Sequence, residues 1–290
     1  MKIKTYSSPT DFRRALDERI VDIAKKENAE VQKLRRHVAF DRLLARLFTD
    51  ANAPWVLKGG YAMQLRTPDA RITRDVDLAI RTEKLLSHEP DEQNAAIRDQ
   101  LIEKTRLDLG DFFSFVISDA IKDLEAAPYG GARFHVEAVV DEKTFQKFHL
   151  DIGIVDTFIE PLEQLPARPW LEFVGIKSMS YPAIPREQQF AEKIHAYTAP
   201  RPEGRRNSRT KDLIDMILLI ETNTLDPEKL AFAVNATFKR RKTHKFESKL
   251  LSPPTFWKEP YAEMAKESGL SPDLDASFQI VQDFISKVFS

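Results

Sequence analysis

Apolar positions recur at helical spacing through residues 11–26 and 31–48. In the second stretch Leu34, Val38, Leu43, Leu44 and Leu47 define the apolar face, so two N-terminal helices are predicted. Pro54 ends that pattern. Trp55, Val56 and Leu57 then form a short apolar run leading into Gly59-Gly60, which reads as a strand entering a turn, with a short helix predicted over residues 61–65. From Asp75 the period changes to two: Val76, Leu78 and Ile80 fall on one side of a predicted strand, and Asp75 and Asp77 on the other. Residues 91–109 predict a helix. After the turn Pro128-Tyr129-Gly130-Gly131, two β-rich stretches follow at 133–140 and 144–155. In the second of these, Phe148, Leu150, Ile152 and Ile154 share one face and His149, Asp151 and Gly153 the other. Five prolines (161, 166, 169, 182 and 185) interrupt the next segment. Beyond them the spacing predicts helices over 186–197, 208–221, 227–239, 255–268 and 277–288, with Ser208 capping the second of these.

The expected architecture is therefore α+β: a lobe with N-terminal helices and a small mixed sheet over residues 1–175, and a mainly helical lobe over 176–290 that contributes to the active-site cleft. Composition agrees with a packed fold, since 42% of the 290 residues are hydrophobic and 31% charged. No internal repeat interrupts it. With zero cysteines, disulfides and thiolate zinc sites are excluded. The first residues lead into no apolar signal region, and no apolar run approaches the roughly 20 residues that span a bilayer, so a cytoplasmic protein is expected. The formal charge of -1 gives the whole molecule no bias towards nucleic acid, so RNA binding would need a local patch. Two basic clusters are available: Arg201, Arg205, Arg206 and Arg209, then Lys239, Arg240, Arg241, Lys242 and Lys245.

The alternation at Asp75 and Asp77 points both carboxylates the same way. Two such charges about 4 Å apart repel by roughly 4 kcal/mol at an effective dielectric near 20, so keeping both ionised calls for a cation. Mg²⁺, with Mn²⁺ as the alternative, suits oxygen ligands and substrate phosphates. Upstream, Gly59 and Gly60 lack the Cβ that would crowd a triphosphate, and they precede a helix whose first N–H groups bind anions. Asp151 repeats the logic of the first pair and is the candidate third carboxylate, either for a second cation or for preparing an attacking hydroxyl. Lys193 lies beside the helical stripe of Phe190, Ile194 and Tyr197, where it reaches substrate phosphates or snorkels. In the next helix, Lys211 and Asp215 are spaced for a surface i,i+4 ion pair. His149 and His195 adjoin apolar residues and read as structural.

In that order, Leu57-Lys58-Gly59-Gly60, Arg71-Ile72-Thr73-Arg74-Asp75-Val76-Asp77-Leu78, Leu150-Asp151-Ile152-Gly153, Gln189-Phe190-Ala191-Glu192-Lys193-Ile194-His195-Ala196 and Arg209-Thr210-Lys211-Asp212-Leu213-Ile214-Asp215 resemble the AbiEii/AbiGii nucleotidyltransferase toxins of the DNA polymerase beta-like superfamily. The resemblance covers residues 56–219. It implies a polymerase-beta-like nucleotidyltransferase lobe joined to a helical lobe, a nucleoside triphosphate substrate, Mg²⁺, and a cognate antitoxin. Asp75 and Asp77 match the metal pair, and Lys193 and Asp212 match residues essential in the family. Lys58, Gly59, Gly60, Thr73, Lys193, Arg209 and Lys211 are the implied nucleotide contacts. The implied acceptor is RNA, the tRNA 3′ end, for which Arg205, Arg206, Arg240 and Arg241 are the candidate contacts. One departure is Gly59-Gly60 where the wider superfamily often has Gly-Ser, which removes a hydroxyl contact to phosphate. Other readings of the same residues are transfer to a protein acceptor, a metal-dependent nuclease, and a non-catalytic nucleotide- or antitoxin-binding module.

Overall fold

The computed structural model describes residues 4–67, 70–81, 89–123, 130–155, 158–201, 206–222 and 224–290. The chain divides into two compact units. The first comprises Met1–Tyr61, Thr73–Phe158 and Gln164–Ala183, and the second Ala62–Ile72, Ile159–Glu163 and Ile184–Ser290.

The first unit opens with α1 (Pro9–Glu27) and α2 (Val31–Leu47). Ser8 Oγ accepts the Asp11 N–H at 3.1 Å, and Pro9 occupies the first turn, where a missing N–H costs nothing. Strands β1 (Trp55–Lys58), β2 (Asp75–Arg81), β3 (Ser114–Asp123), β4 (Gly131–Val140), β5 (Lys143–Val155), β6 (Glu163–Pro166) and β7 (Ser180–Ala183) follow, with α4 (Pro90–Thr105) before β3; α3 (Gly59–Arg66), after β1, and Glu163 of β6 fall at the division, Ala62–Arg66 and Glu163 being counted in the second unit. Among the described residues these strands form one sheet in the order β3-β4-β5-β2-β1-β7-β6. It is mixed: β2 runs parallel to β5, and β1 to β7, whereas β1–β2, β3–β4 and β4–β5 are antiparallel. Its apolar face carries Val76, Leu78 and Ile80 of β2 and Leu150, Ile152 and Ile154 of β5, all buried, each worth about 1.5–3 kcal/mol relative to exposure. Helix α2 packs on that sheet, with the Phe40 ring edge-on to Phe148 at 4.8 Å. Arg42 and Arg46 of α2 both pair with the fully buried Asp111, at 2.6 and 2.7 Å, which ties the stretch before β3 to the core.

The second unit is dominated by α5 (Arg186–Thr198), α6 (Thr210–Glu221), α7 (Pro227–Arg241), α8 (Lys258–Glu267) and α9 (Leu274–Val288). Phe190, Ile194, Leu213, Ile217, Val234, Trp257, Tyr261 and Val281 form its core. Asp226 and Asp273 cap α7 and α9 by accepting backbone N–H groups of the first turn.

The α+β organisation is the one the periodicity predicts. Several details differ. Strand β3 is not predicted, because register shifts between Ile117 and Ala120 and between Ala120 and Lys122 break its alternation. Ser208 is not the cap of α6: the helix begins at Thr210, and Asn207 Oδ1 takes the Arg209 N–H at 3.1 Å instead. Helix α3 starts at Gly59 itself, and the stretch from 255 splits into a 3₁₀ turn (Thr255–Trp257) and α8.

Candidate active site

On the polar face of the sheet, register places Asp75 beside His149 and Asp77 beside Asp151 across β2 and β5. The antiparallel neighbour β4 sets Arg133 opposite Asp151 and His135 opposite His149. Period-two geometry thus gathers three carboxylates, an arginine and two histidines on one surface. The Gly60 N–H donates to Asp77 Oδ2 at 3.3 Å, setting that carboxylate at the first turn of α3. Gly59 has φ of 66°, and a Cβ there would lie 2.0 Å from Asp77 Oδ2; one at Gly60 would lie 2.6 Å from Thr73 Oγ1. The glycines are therefore required first by the close approach of Asp77 and Thr73, and not only by room for a triphosphate. Thr73 in turn donates from Oγ1 to the Asp75 carbonyl at 3.2 Å, which holds the entry to β2. Lys58, half-buried at the end of β1, is in register with Asp77.

Arg133 is the site residue that the sequence pattern does not single out. Its Nε and Nη2 each donate to one oxygen of Asp151 at 2.7 Å, and Nη2 lies 3.8 Å from Asp75 Oδ2. The hydrogen bond to Asp151 raises the guanidinium pKa most, and the charges of Asp151, Asp75 and Asp77 add to it. His149, expected to be structural, places Nδ1 3.1 Å from Asp75 Oδ1 and packs against His135, with ring centroids 4.6 Å apart and planes tilted by 36°.

An all-oxygen pair on one strand face fits a hard divalent cation whose remaining ligands are phosphates and water. Asp75 and Asp77 meet that requirement. Asp151 is different, since both its oxygens are taken by Arg133. Among the described residues no group of three or more His, Cys, Asp or Glu side chains is arranged to hold a metal.

The second unit holds a separate charged cluster. Lys193 Nζ lies 2.6 Å from Asp215 Oδ2 and 3.0 Å from Asp212 Oδ1, which uses two of its three N–H donors. Arg71 donates to both oxygens of Asp215 at 3.0 and 3.1 Å. Burial disfavours the charged forms of Lys193 and Asp215, yet their mutual attraction prevails: the lysine pKa is raised and the Asp215 pKa lowered. Asp215 is thus an internal partner of Lys193 and Arg71, not the surface i,i+4 partner of Lys211. Lys211 is exposed at the start of α6, and Arg209 Nη1 lies 3.6 Å from Asp212.

Of the candidate RNA contacts, Arg205 lies outside the described residues. Arg206 places its guanidinium over the Phe256 ring at 5.5 Å. Arg240 is half-buried on α7. Arg241 turns inward, 3.4 Å from His195 Nδ1 and 3.7 Å from Glu192, and burial lowers the His195 pKa to about 4 with the nearby Arg241 charge adding to it.

A family model described as nucleotidyl transferase AbiEii toxin, type IV toxin–antitoxin system, matches residues 42–283. Among solved structures, MenT4, a nucleotidyltransferase toxin from Mycobacterium tuberculosis H37Rv, aligns with a TM-score of 0.55 at 15% identity, covering 96% of this chain and 88% of that one. At that identity the likeness concerns the fold. JHP933 from Helicobacter pylori aligns with a TM-score of 0.47 at 14% identity, over 89% of this chain and 92% of its own. The Megavirus polyadenylate synthase aligns with a TM-score of 0.31 at 14% identity, over 92% of this chain and 45% of its own. No curated protein matches by sequence. No helix of the described residues is long and apolar enough to cross a membrane.

Proposed function

Since the chain belongs to the AbiEii nucleotidyltransferase toxin family, we propose that it transfers a nucleoside monophosphate from a nucleoside triphosphate to an RNA acceptor, the 3′ end of a tRNA, with Mg²⁺. The observation that carries this reading is the pairing of Asp75 and Asp77 on one face of β2, with Asp77 fixed by the Gly60 N–H. Bound there, the cation would polarise the triphosphate and steady the departing pyrophosphate. The chain's own residues do the rest. Gly59 and Gly60 keep backbone and carboxylate in close contact, and Arg133 balances the carboxylates and offers positive charge towards phosphate oxygens.

In this reading Asp151 anchors Arg133, in place of the metal-ligand or base role that strand alternation suggests for it. Lys193 keeps one N–H donor for a phosphate oxygen, and Asp212 and Asp215 set its direction. Lys58, Thr73, Arg209 and Lys211 remain candidate nucleotide contacts, and Arg206 and Arg240 candidate RNA contacts. A cognate antitoxin is the expected partner of a toxin of this type.

The test is incubation of the protein with each α-labelled nucleoside triphosphate, Mg²⁺ and total tRNA. Lengthened, labelled RNA with pyrophosphate released, abolished by Asp75→Ala, is the expected result. Label on protein, shortened RNA, or full transfer by Asp75→Ala would each replace the reading with another.

A further inference from the structure

Within the helical unit, a partly open cavity of about 490 Å³ lies between the C-terminal end of α5 and the irregular chain after α7. That volume lies within the range of about 300–1,000 Å³ typical of small-ligand sites. The irregular chain is pinned in place. Tyr197 Oη donates to the Leu251 carbonyl at 2.8 Å, Thr198 Oγ1 and His244 Nε2 are 2.8 Å apart, and the Leu250 N–H donates to Gln282 Oε1 at 2.8 Å. Asn207, on the same lining, is held by Trp257 Nε1, which donates to its carbonyl at 2.7 Å. Secondary structure does not supply these bonds; side chains do, and they give the cavity fixed walls.

Its lining is of two kinds. Tyr197, Leu250 and Pro254 supply apolar surface, while Arg201, Lys245 and Lys249 supply positive charge against the single acid of the lining, Glu247. Arg201 spends one N–H on the Ala196 carbonyl at 2.6 Å, and its Nε is buried with no acceptor. Among the described residues none of these three cations has a carboxylate in ion-pair reach. Burial, and then the neighbouring Arg209 charge, lower the Arg201 pKa, and the charge of Asp212 only partly opposes them. Three cations gathered on one cavity lining favour an anionic group, and a phosphate oxygen accepts hydrogen bonds from ammonium and guanidinium alike.

We propose that this cavity is a second nucleotide site, taking a phosphorylated nucleoside with its phosphate on Arg201, Lys245 and Lys249 and its ring on the apolar wall. The same chemistry is offered by a free mononucleotide and by one nucleotide of an RNA strand. The site is built entirely from residues of the second unit and does not depend on the reaction proposed for the carboxylate pair.

Binding of 5′-AMP, of adenosine and of a short single-stranded oligoribonucleotide is measured by calorimetry on the full chain and on three variants. Lys245→Gln/Lys249→Gln removes exposed charge, Ser252→Trp fills the mouth of the cavity while keeping the charge, and Asp77→Ala disables the carboxylate site. The expected result is that 5′-AMP or the oligonucleotide binds, adenosine binds at least about tenfold more weakly than 5′-AMP, and both cavity variants weaken binding about tenfold or more while Asp77→Ala leaves it unchanged. Binding by 5′-AMP identifies a free nucleotide as occupant, and binding by the oligonucleotide alone identifies a strand. Equal binding by the wild type and both cavity variants, loss of binding in Asp77→Ala, or no binding of either phosphorylated probe overturns the proposal.

Discussion

Replacing Arg133 by Gln removes the charge that faces Asp151 and Asp75 while leaving an amide able to donate one hydrogen bond to Asp151. Two opposed effects follow. The metal-free protein loses a bidentate pair whose partners are 31% and 13% exposed, intermediate between surface and buried, which costs about 1–3 kcal/mol of stability. Cation binding gains, because a positive charge 3.8 Å from Asp75 no longer opposes it. At that range a unit charge contributes roughly 1–2 kcal/mol for an effective dielectric of 40–80, or about 5- to 30-fold in affinity. The assay is a Mn²⁺ titration followed by electron paramagnetic resonance, together with melting temperatures with and without Mg²⁺. Arg133→Gln should melt below wild type without metal, bind Mn²⁺ more tightly, and gain more in melting temperature from Mg²⁺. Unchanged or weaker Mn²⁺ binding would mean that Arg133 does not compete with a cation for these carboxylates.

Gly59→Ala should cost more than about 1 kcal/mol in urea unfolding and abolish transfer, because it combines a φ of 66° with a Cβ 2.0 Å from Asp77 Oδ2; wild-type activity would show that Asp77 is free to move. Asp215→Ala leaves Lys193 and Arg71 facing a lost buried partner and should destabilise by about 3–5 kcal/mol, well beyond Asp212→Asn, as read by denaturant midpoints. Asp41, fully buried and bonded to the Tyr61 hydroxyl at 2.7 Å, has its pKa pushed up by burial from 3.8 to about 7. Between those values the folded state holds a proton that the unfolded chain has released, so this group's contribution to stability falls as pH rises from about 4 to 7 and is level above. Asp41→Asn keeps the acceptor for Tyr61 and should gain on wild type across that window, by at most about 4 kcal/mol. The comparison isolates Asp41 from His195, whose lowered pKa contributes stability of the opposite pH slope. A stability difference between Asp41→Asn and wild type that stays constant from about pH 4 to 8 would refute it.

The parts of the fold legible in the sequence are those set by local period. Alternation in 75–80 and 148–154 is enough to put Asp75, Asp77 and Asp151 on the polar side of their strands, and the apolar stripes of α2, α5 and α6 announce their helices. What the sequence hides is pairing between distant segments. Arg133 is an ordinary polar position of an alternating strand until β4 is laid against β5, when it meets Asp151 eighteen residues away. The same holds for Arg71, which finds Asp215 across 144 residues and displaces the local ion pair that spacing suggests. His149 looks structural from its apolar neighbours, yet those neighbours point to the opposite face. Bulges conceal β3, because alternation is lost wherever an extra residue shifts the register.

The proposed role of the Asp75–Asp77 face is nucleotidyl transfer to RNA. Its most direct measurement is a four-nucleotide transfer assay with α-labelled triphosphates, Mg²⁺ and total tRNA, run beside Asp77→Ala. Label on the tRNA 3′ end from at least one triphosphate, pyrophosphate in equal amount, and neither product from Asp77→Ala are expected. Equal labelling of RNA by Asp77→Ala and wild type, or wild-type protein that labels protein and leaves RNA untouched, would contradict it.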